Sequence, residues 1–226
     1  CTTFGGGGHV VEPIDHAREV FAKIAKETTS YSETIKSEQD TRLKVVDRVL
    51  FEVLGWNHGD VQTEEQAGTG FIDYRLGIGD AARLIIEAKK EARPLGIDTR
   101  QAARFFKLNG PVFHTEAANE GAEQAIRYCG HKNAELAVVT NGNEWIVFRG
   151  SRLGDGKDTR DGMACVFPNL EGVAAQFAVF FDLLARENVE RFLYRAFFQE
   201  AEGHPVRARS FRKEADRNYL IKFAAV

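Results

Sequence analysis

Cysteine is scarce in this 226-residue chain, which contains only Cys1, Cys129 and Cys165. Three residues so widely spaced provide neither a metal-binding cluster nor a disulfide framework, as is typical of proteins in a reducing cytoplasm. Long apolar runs are also missing, since no segment reaches the roughly 20 residues that a membrane-spanning helix needs. No signal peptide is recognisable. We therefore expect a cytoplasmic protein without a membrane partner.

The chain also lacks an excess of positive charge. Its net charge is −3 and its isoelectric point is near 6.1. This excludes a protein that coats nucleic acid by charge alone, so a nucleic-acid role would need a local basic groove, a bound metal or partner domains. The Gly-x-x-x-x-Gly-Lys-Ser/Thr motif of an ATP-driven motor is absent, and so are a helix-turn-helix and a zinc finger.

Hydrophobic residues make up 43% of the chain and include 17 phenylalanines, which is enough for a sizeable core. Residues 1–12 contain four consecutive glycines and are interpreted as a flexible lead-in. Residues 13–200 are predicted to form one folded domain. The charged stretch 201–226 is interpreted as a linker or the start of a following domain.

Apolar periodicity predicts helices and strands in a mixed order. The predicted helices are 13–26, 32–54 and 120–132, a short helix near 99–107 and two closing helices within 177–197; the predicted strands are 61–65, 70–76, 82–88, 135–140 and 144–149. Asn141-Gly142 between the last two strands is a strong hairpin signal. The order indicates an α/β fold in which helices flank a central mixed sheet.

The segment GFIDYRLGIGDAARLIIEAKK (70–90) carries the residues best suited to chemistry. Glu87 and Lys89 are two positions apart, so on a strand both point to the same face, and Asp73 lies one hairpin away. Two carboxylates can hold Mg²⁺, which polarises a phosphoryl oxygen and acidifies a bound water, while a lysine orients that water. An alternative is that Asp73 caps a hairpin and that Glu87 and Lys89 form an exposed ion pair.

Three other residues are candidates for the same site. Gln124 and Tyr128 are four apart, which places them on one face of a predicted helix, where they could hold a phosphate, a lysine or a metal-bound water. The alternative is a half-buried tyrosine beside an exposed glutamine. Glu38 precedes the first predicted strand, and it could equally belong to a solvated acidic turn with Glu33 and Asp40.

Taken in order, these residues resemble a known family. Glu38 is followed by GFIDY (70–74), IIEAKK (85–90), QAIRYC (124–129) and AVVTNGNEWIVF (137–148). The series resembles the N-terminal nuclease domain of type I restriction enzyme R subunits, in the branch of the PD-(D/E)xK superfamily with a Gln-x-x-x-Tyr motif. The resemblance covers residues 32–149 and extends more loosely over 167–189.

The resemblance implies a restriction-endonuclease-like core and a metal-dependent endonuclease that hydrolyses DNA with Mg²⁺, for which Mn²⁺ can substitute. It implies that Asp73, Glu87 and the Ala88 carbonyl are metal ligands and that Lys89 positions or activates the attacking water. Glu38 would support the metal site. Gln124 and Tyr128 would steady Lys89 or the substrate backbone.

Two features depart from the family pattern. Ile72 stands where the superfamily name has proline, which this branch tolerates because only the aspartate carries chemistry. The stretch between Lys89 and Gln124 is longer than expected, and the extra residues around 99–119 could cover the site or contact substrate.

The leading hypothesis is a DNA endonuclease module of a restriction or phage-defence system, with ATPase motor or sensor domains or subunits beyond Val226. One alternative is a catalytically silent nucleic-acid-binding or assembly module with the same fold. Another is an RNA-cleaving nuclease, although no residue pattern that reads a 2′-hydroxyl is recognisable.

Overall fold

The computed structural model describes residues 13–30, 37–68, 70–89, 93–97, 105–110, 113–152 and 156–203. The predicted lead-in at 1–12 and nearly all of the predicted linker at 201–226 lie outside the described residues.

A mixed sheet of seven described strands forms the centre of the molecule. The strands are β1 (Val61–Ala67), β2 (Gly70–Ile78), β3 (Ala81–Ala88), β4 (Phe105–Lys107), β5 (Leu136–Thr140), β6 (Trp145–Arg149) and β7 (Met163–Phe167). Their order across the sheet is β1-β2-β3-β5-β6-β7-β4. β3 and β5 are parallel and the other neighbours are antiparallel, so the α/β fold with a mixed sheet is confirmed.

Helices lie on both faces of this sheet. They are α1 (Pro13–Ser30), α2 (Glu38–Thr41), α3 (Glu116–Lys132), α4 (Leu170–Ala175), α5 (Phe177–Leu184), α6 (Arg186–Glu190) and α7 (Tyr194–Ala201). α2 continues into two π-helical segments, Arg42–Val46 and Val49–Val53, and 3₁₀ turns occur at His58–Asp60 and Thr159–Asp161. Within the described ranges, no helix is both long and apolar enough to cross a bilayer.

Several local predictions were wrong. A helix was predicted near 99–107, but Phe105–Lys107 is strand β4, while 98–104 lie outside the described residues. β7 was not predicted at all. Both strands are short and gain their hydrogen bonds by pairing with each other, and β7 also pairs with β6, so local periodicity could not reveal them. In place of the two predicted closing helices there are three short ones, α5, α6 and α7, and α4 precedes them.

Two apolar clusters cover the faces of the sheet. The larger includes Phe21 of α1, Trp145 of β6 and Phe180 of α5, and the rings of Trp145 and Phe180 meet edge to face with centroids 5.3 Å apart. The smaller lies between the sheet and α3 and includes Ile85 and Val139. α3 therefore covers the two parallel strands, one of which carries Glu87 and ends just before Lys89.

Sequence signals at the ends of the elements explain why they begin and end where they do. Ser37 and Asp40 form a reciprocal capping box that starts α2. The Thr115 hydroxyl accepts a hydrogen bond from the Ala118 N–H at 3.3 Å and starts α3. The predicted Asn-Gly hairpin is confirmed, and Gly142 in it has a φ of 84°, which favours glycine.

Candidate active site

β3 delivers two ionisable side chains to its carboxyl end. Glu87 and Lys89 are 5% and 6% exposed, and the Lys89 ammonium donates a hydrogen bond to Glu87 Oε1 at 3.0 Å. The Lys89 N–H donates to the Thr140 carbonyl at 2.7 Å, which fixes the backbone of Lys89 against the parallel strand β5. The alternative of an exposed ion pair is wrong, because both partners are buried.

Asp73 approaches the same strand end from β2. The backbone pairing of β2 with β3 begins with Ile78 opposite Ala81 and ends with Tyr74 opposite Ile86. At the next position the Asp73 side chain replaces backbone pairing, since its Oδ2 accepts a hydrogen bond from the Ala88 N–H at 2.8 Å. Asp73 therefore lies beside Glu87 at the end of the ladder, and it does not cap the hairpin turn.

The fold raises the pKa values of both acids. Burial is the main reason that the pKa of Glu87 rises to about 7, and the negative charge of Asp73 adds to the effect, whereas Lys89 opposes it. Burial also raises the pKa of Asp73, against the hydrogen bond from Ala88 and the positive charges of Arg42 and Lys89. Two acids held together out of water favour a bound cation.

Glu38, the first residue of α2, is half-buried and contributes to the electrostatics of this cluster. Its charge is a further cause of the raised pKa of Glu87, which places the two carboxylates within electrostatic range. Of its supposed neighbours in a solvated turn, Asp40 caps the helix and Glu33 lies outside the described residues.

Gln124 and Tyr128 of α3 have different environments despite their helical spacing. Gln124 Oε1 accepts a hydrogen bond from the Lys89 ammonium at 2.6 Å, so Gln124 belongs to the cluster. Tyr128 is 2% exposed and packs in the apolar cluster under α3, with its hydroxyl so close to Gly70 that a Cβ there would overlap it. The hydroxyl of Tyr128 therefore lies at the start of β2, not in a wet cleft beside Lys89.

Two further residues hold the site in position, and neither was predicted from the sequence. The Arg42 guanidinium lies 3.8 Å from Asp73 Oδ1, donates a hydrogen bond to the Asp73 carbonyl at 3.3 Å and covers the Tyr74 ring. Its spacing of four residues from Glu38 on one helical face could have identified it. Gly121 allows close packing of α3, because a Cβ there would lie 2.7 Å from Val139 Cγ1 and 3.4 Å from Lys89 Cε.

The donor set fits a hard divalent cation in composition, although it does not form a complete cage. Within the described ranges, no group of three or more His, Cys, Asp or Glu side chains is arranged to hold a metal. Glu87 Oε2 is nevertheless buried with no hydrogen-bond partner among the described residues, and an unsatisfied carboxylate oxygen is costly unless a ligand or cation meets it. Ala88, the other expected ligand, is fully buried and adjoins both acids.

Comparisons with protein-family models, with curated proteins and with solved structures found no match to this chain. The function of this chain is therefore inferred from the residues and geometry of the site.

Proposed function

We propose that the chain is a metal-dependent endonuclease that hydrolyses DNA phosphodiester bonds and is the nuclease module of a restriction or phage-defence system. The arrangement of Asp73, Glu87 and Lys89 where the pairing of β2 with β3 ends carries the proposal. A restriction-endonuclease-like core is part of the same proposal, supported by the mixed sheet with α3 across its parallel strands.

Each residue has a specific part in this proposal. Asp73, Glu87 and the Ala88 carbonyl would hold Mg²⁺ or Mn²⁺, which when bound neutralises charge on the scissile phosphate and acidifies a coordinated water. Lys89, held between Glu87 and Gln124, donates hydrogen bonds toward the attacking water or a phosphate oxygen and offsets negative charge that develops at phosphorus. Glu38 adds negative potential that attracts the cation.

A second candidate is a silent nucleic-acid-binding or assembly module. The observation in its favour is that protein cations already neutralise the acids, since Lys89 pairs with Glu87 at 3.0 Å and Arg42 lies 3.8 Å from Asp73. In that case the cluster would be an internal ion-pair network without a metal.

Plasmid cleavage distinguishes these candidates. Nicked and linear DNA should form with Mg²⁺ or Mn²⁺, but not with Ca²⁺ or in EDTA, because Ca²⁺ is larger and more loosely coordinated. Asp73→Asn, Glu87→Gln and Lys89→Met should each reduce the rate about a thousandfold, as expected for loss of roughly 4 kcal/mol of transition-state stabilisation.

Glu190→Gln and Lys107→Met are matched controls because they remove the same charges away from the site; Glu190 is 48% exposed and Lys107 is exposed on β4. A parallel RNA substrate tests the RNA alternative. Intact DNA and RNA with every metal, together with DNA retention in a binding assay, would favour the silent module. Cleavage at equal rates in EDTA would exclude the metal-dependent mechanism.

A further inference from the structure

A second polar site lies at the other end of the two parallel strands. A cavity of about 340 Å³ is lined by Arg83, Arg149 and Arg195 together with Glu135, Phe192 and Tyr194. We call it the arginine cavity. Its volume falls in the range of small-molecule sites.

The arginine cavity is separate from the candidate active site. Arg83 is near the start of β3 and four residues before Glu87, a separation of about 13 Å along a strand. Glu135 immediately precedes β5, and Arg149 ends β6. The cavity therefore lies where the two parallel strands begin, whereas Glu87 and Lys89 lie where β3 ends.

The charges around the arginine cavity do not cancel. Among the described residues that line the cavity, Glu135 is the only acid, and it pairs with Arg149 at 2.9 Å and with Arg195 Nε at 2.8 Å. Arg83 has no ion pair among the described residues, and its guanidinium lies 4.5 Å from the centroid of the Phe192 ring. Three guanidinium groups against one carboxylate leave two positive charges facing a small volume.

Hydrogen-bond donors in the arginine cavity are also unsatisfied. The Nε atoms of Arg83 and Arg149 are buried and have no hydrogen-bond partner within the described part of the chain, and the same is true of one acceptor, Glu135 Oε1. Arg149 Nε is close to Glu135 but is not aligned for a hydrogen bond. A buried donor without an acceptor costs free energy, so the described residues alone do not fully satisfy these two arginines.

Phe192 holds two of these arginines in place. Its ring contacts the guanidinium of Arg83 at 4.5 Å and that of Arg195 at 4.1 Å from the centroid, so both cations are oriented by one aromatic side chain. Phe192 has a φ of 57°, a backbone conformation that residues other than glycine rarely adopt. The guanidinium groups are therefore positioned in advance of any ligand.

We propose that the arginine cavity binds the phosphate monoester group of a small molecule such as a nucleoside monophosphate. A phosphate monoester carries close to two negative charges at neutral pH, which matches the excess charge of the lining. Its several acceptor oxygens match guanidinium forks, which bind phosphate in a bidentate manner. A carboxylate group carries one charge and two acceptor oxygens, and the two charges of a dicarboxylate such as succinate are separated by its carbon chain, so neither concentrates its charge as a phosphate monoester does.

Calorimetric titration of the full chain in EDTA tests the proposal without involving the candidate metal site. The titrants are inorganic phosphate, a nucleoside 5′-monophosphate, succinate, and one oligonucleotide with and without a 5′-phosphate. Phosphate and the monophosphate should bind, succinate should bind at least about tenfold more weakly, and Arg83→Gln should weaken phosphate binding by at least about tenfold. Arg195→Gln is the second variant, and it decides the test if Arg83→Gln does not fold.

Arg18→Gln is the matched control, because Arg18 is 51% exposed on α1 and its loss changes the net charge equally. If the 5′-phosphorylated oligonucleotide binds more tightly than the free monophosphate, and if this binding depends on Arg83, the phosphate monoester that the cavity binds is the end of a nucleic acid. The proposal is overturned if no phosphate compound binds or if succinate binds as tightly as phosphate. It is also overturned if Arg18→Gln weakens phosphate binding as much as Arg83→Gln does.

Discussion

At the scale of single residues, the raised pKa of Glu87 links protonation to stability. An ordinary glutamate has a pKa of 4.5, and in the folded protein that of Glu87 is about 7. Between these values the folded state holds more protons than the unfolded state, so the contribution of Glu87 to stability is greatest below pH 4.5. That contribution is lost as the pH rises through about 7.

Unfolding in EDTA between about pH 5 and about pH 8 checks this prediction. The stability of the wild type should fall with rising pH relative to that of Glu87→Gln, which cannot ionise at this position. Glu190→Gln is the matched control for the substitution itself, since Glu190 is exposed. If the stabilities of Glu87→Gln and the wild type depend on pH in the same way, ionisation of Glu87 does not destabilise the folded protein.

The contact between Gln124 and Lys89 predicts a difference between the two residues of the helical pair. Gln124→Ala should slow DNA cleavage between about tenfold and a hundredfold, because Lys89 loses one of its two described side-chain acceptors. Tyr128→Phe should change the rate less, since the hydroxyl lies at Gly70. Single-turnover rates measure both effects.

Glu123→Ala is the control for Gln124→Ala, as Glu123 is the neighbouring residue and pairs with Arg160 on the surface. A slower reaction in Tyr128→Phe than in Gln124→Ala would mean that the phenol, and not the amide, acts on the reacting groups.

At the scale of elements, the approach of α3 to β5 depends on Gly121. Gly121→Ala places a methyl group 2.7 Å from Val139 Cγ1, so α3 must shift, at a cost of about 1–3 kcal/mol in the free energy of unfolding. The same shift should lower the cleavage rate, because Gln124 of α3 contacts Lys89. Urea denaturation and rate measurements on one preparation test both effects.

Gly130→Ala is the matched control on the same helix, since a Cβ at Gly130 meets no atom within 4 Å. Alanine is the better helix former by roughly 0.5–1 kcal/mol, so this change should stabilise the protein. Adding Val139→Ala to Gly121→Ala should recover part of the loss. Equal stabilisation by the two glycine changes would show that α3 does not pack as described.

Prediction from sequence succeeded for elements with a strong local pattern. β2, β3 and the β5–β6 hairpin were confirmed because apolar runs and an Asn-Gly turn are encoded within a few consecutive residues. β4 has only three residues, and its partner β7 lies far away in the chain, so β4 became visible only through its pairing in the sheet. β7 is a run of five mostly buried residues without alternation, and its place was fixed by pairing with β6 and β4.

At the scale of the whole molecule, the proposed metal site predicts stabilisation by divalent cations. A ligand that binds only the folded state raises the free energy of unfolding by about 2.7 kcal/mol when present at a hundred times its dissociation constant. Mg²⁺ or Mn²⁺ should therefore raise the melting temperature, and excess EDTA should reverse the effect.

Asp73→Asn should abolish this stabilisation, whereas Glu190→Gln should retain it. Without metal, Asp73→Asn should be at least as stable as the wild type, because it relieves repulsion with Glu87. An equal rise in melting temperature for Asp73→Asn and the wild type would place the cation elsewhere.

The sequence by itself determined the α/β class, the strand that carries Glu87 and ends just before Lys89, and the helical spacing of Gln124 from Tyr128. These depend on the periods of strands and helices, which are local properties of the chain. It also identified Asp73 as a partner through the short connection between β2 and β3.

Only the tertiary structure decided how these side chains are used. Gln124 contacts Lys89 although the two are 35 positions apart in the sequence, and Arg42 contacts Asp73 although they are 31 positions apart. No local pattern therefore specifies either contact. Burial of Glu87, and with it the rise of its pKa, arises when α3 and the neighbouring strands exclude water from its side chain. Desolvation and long-range contacts belong to the packed molecule, whereas periodicity belongs to the chain.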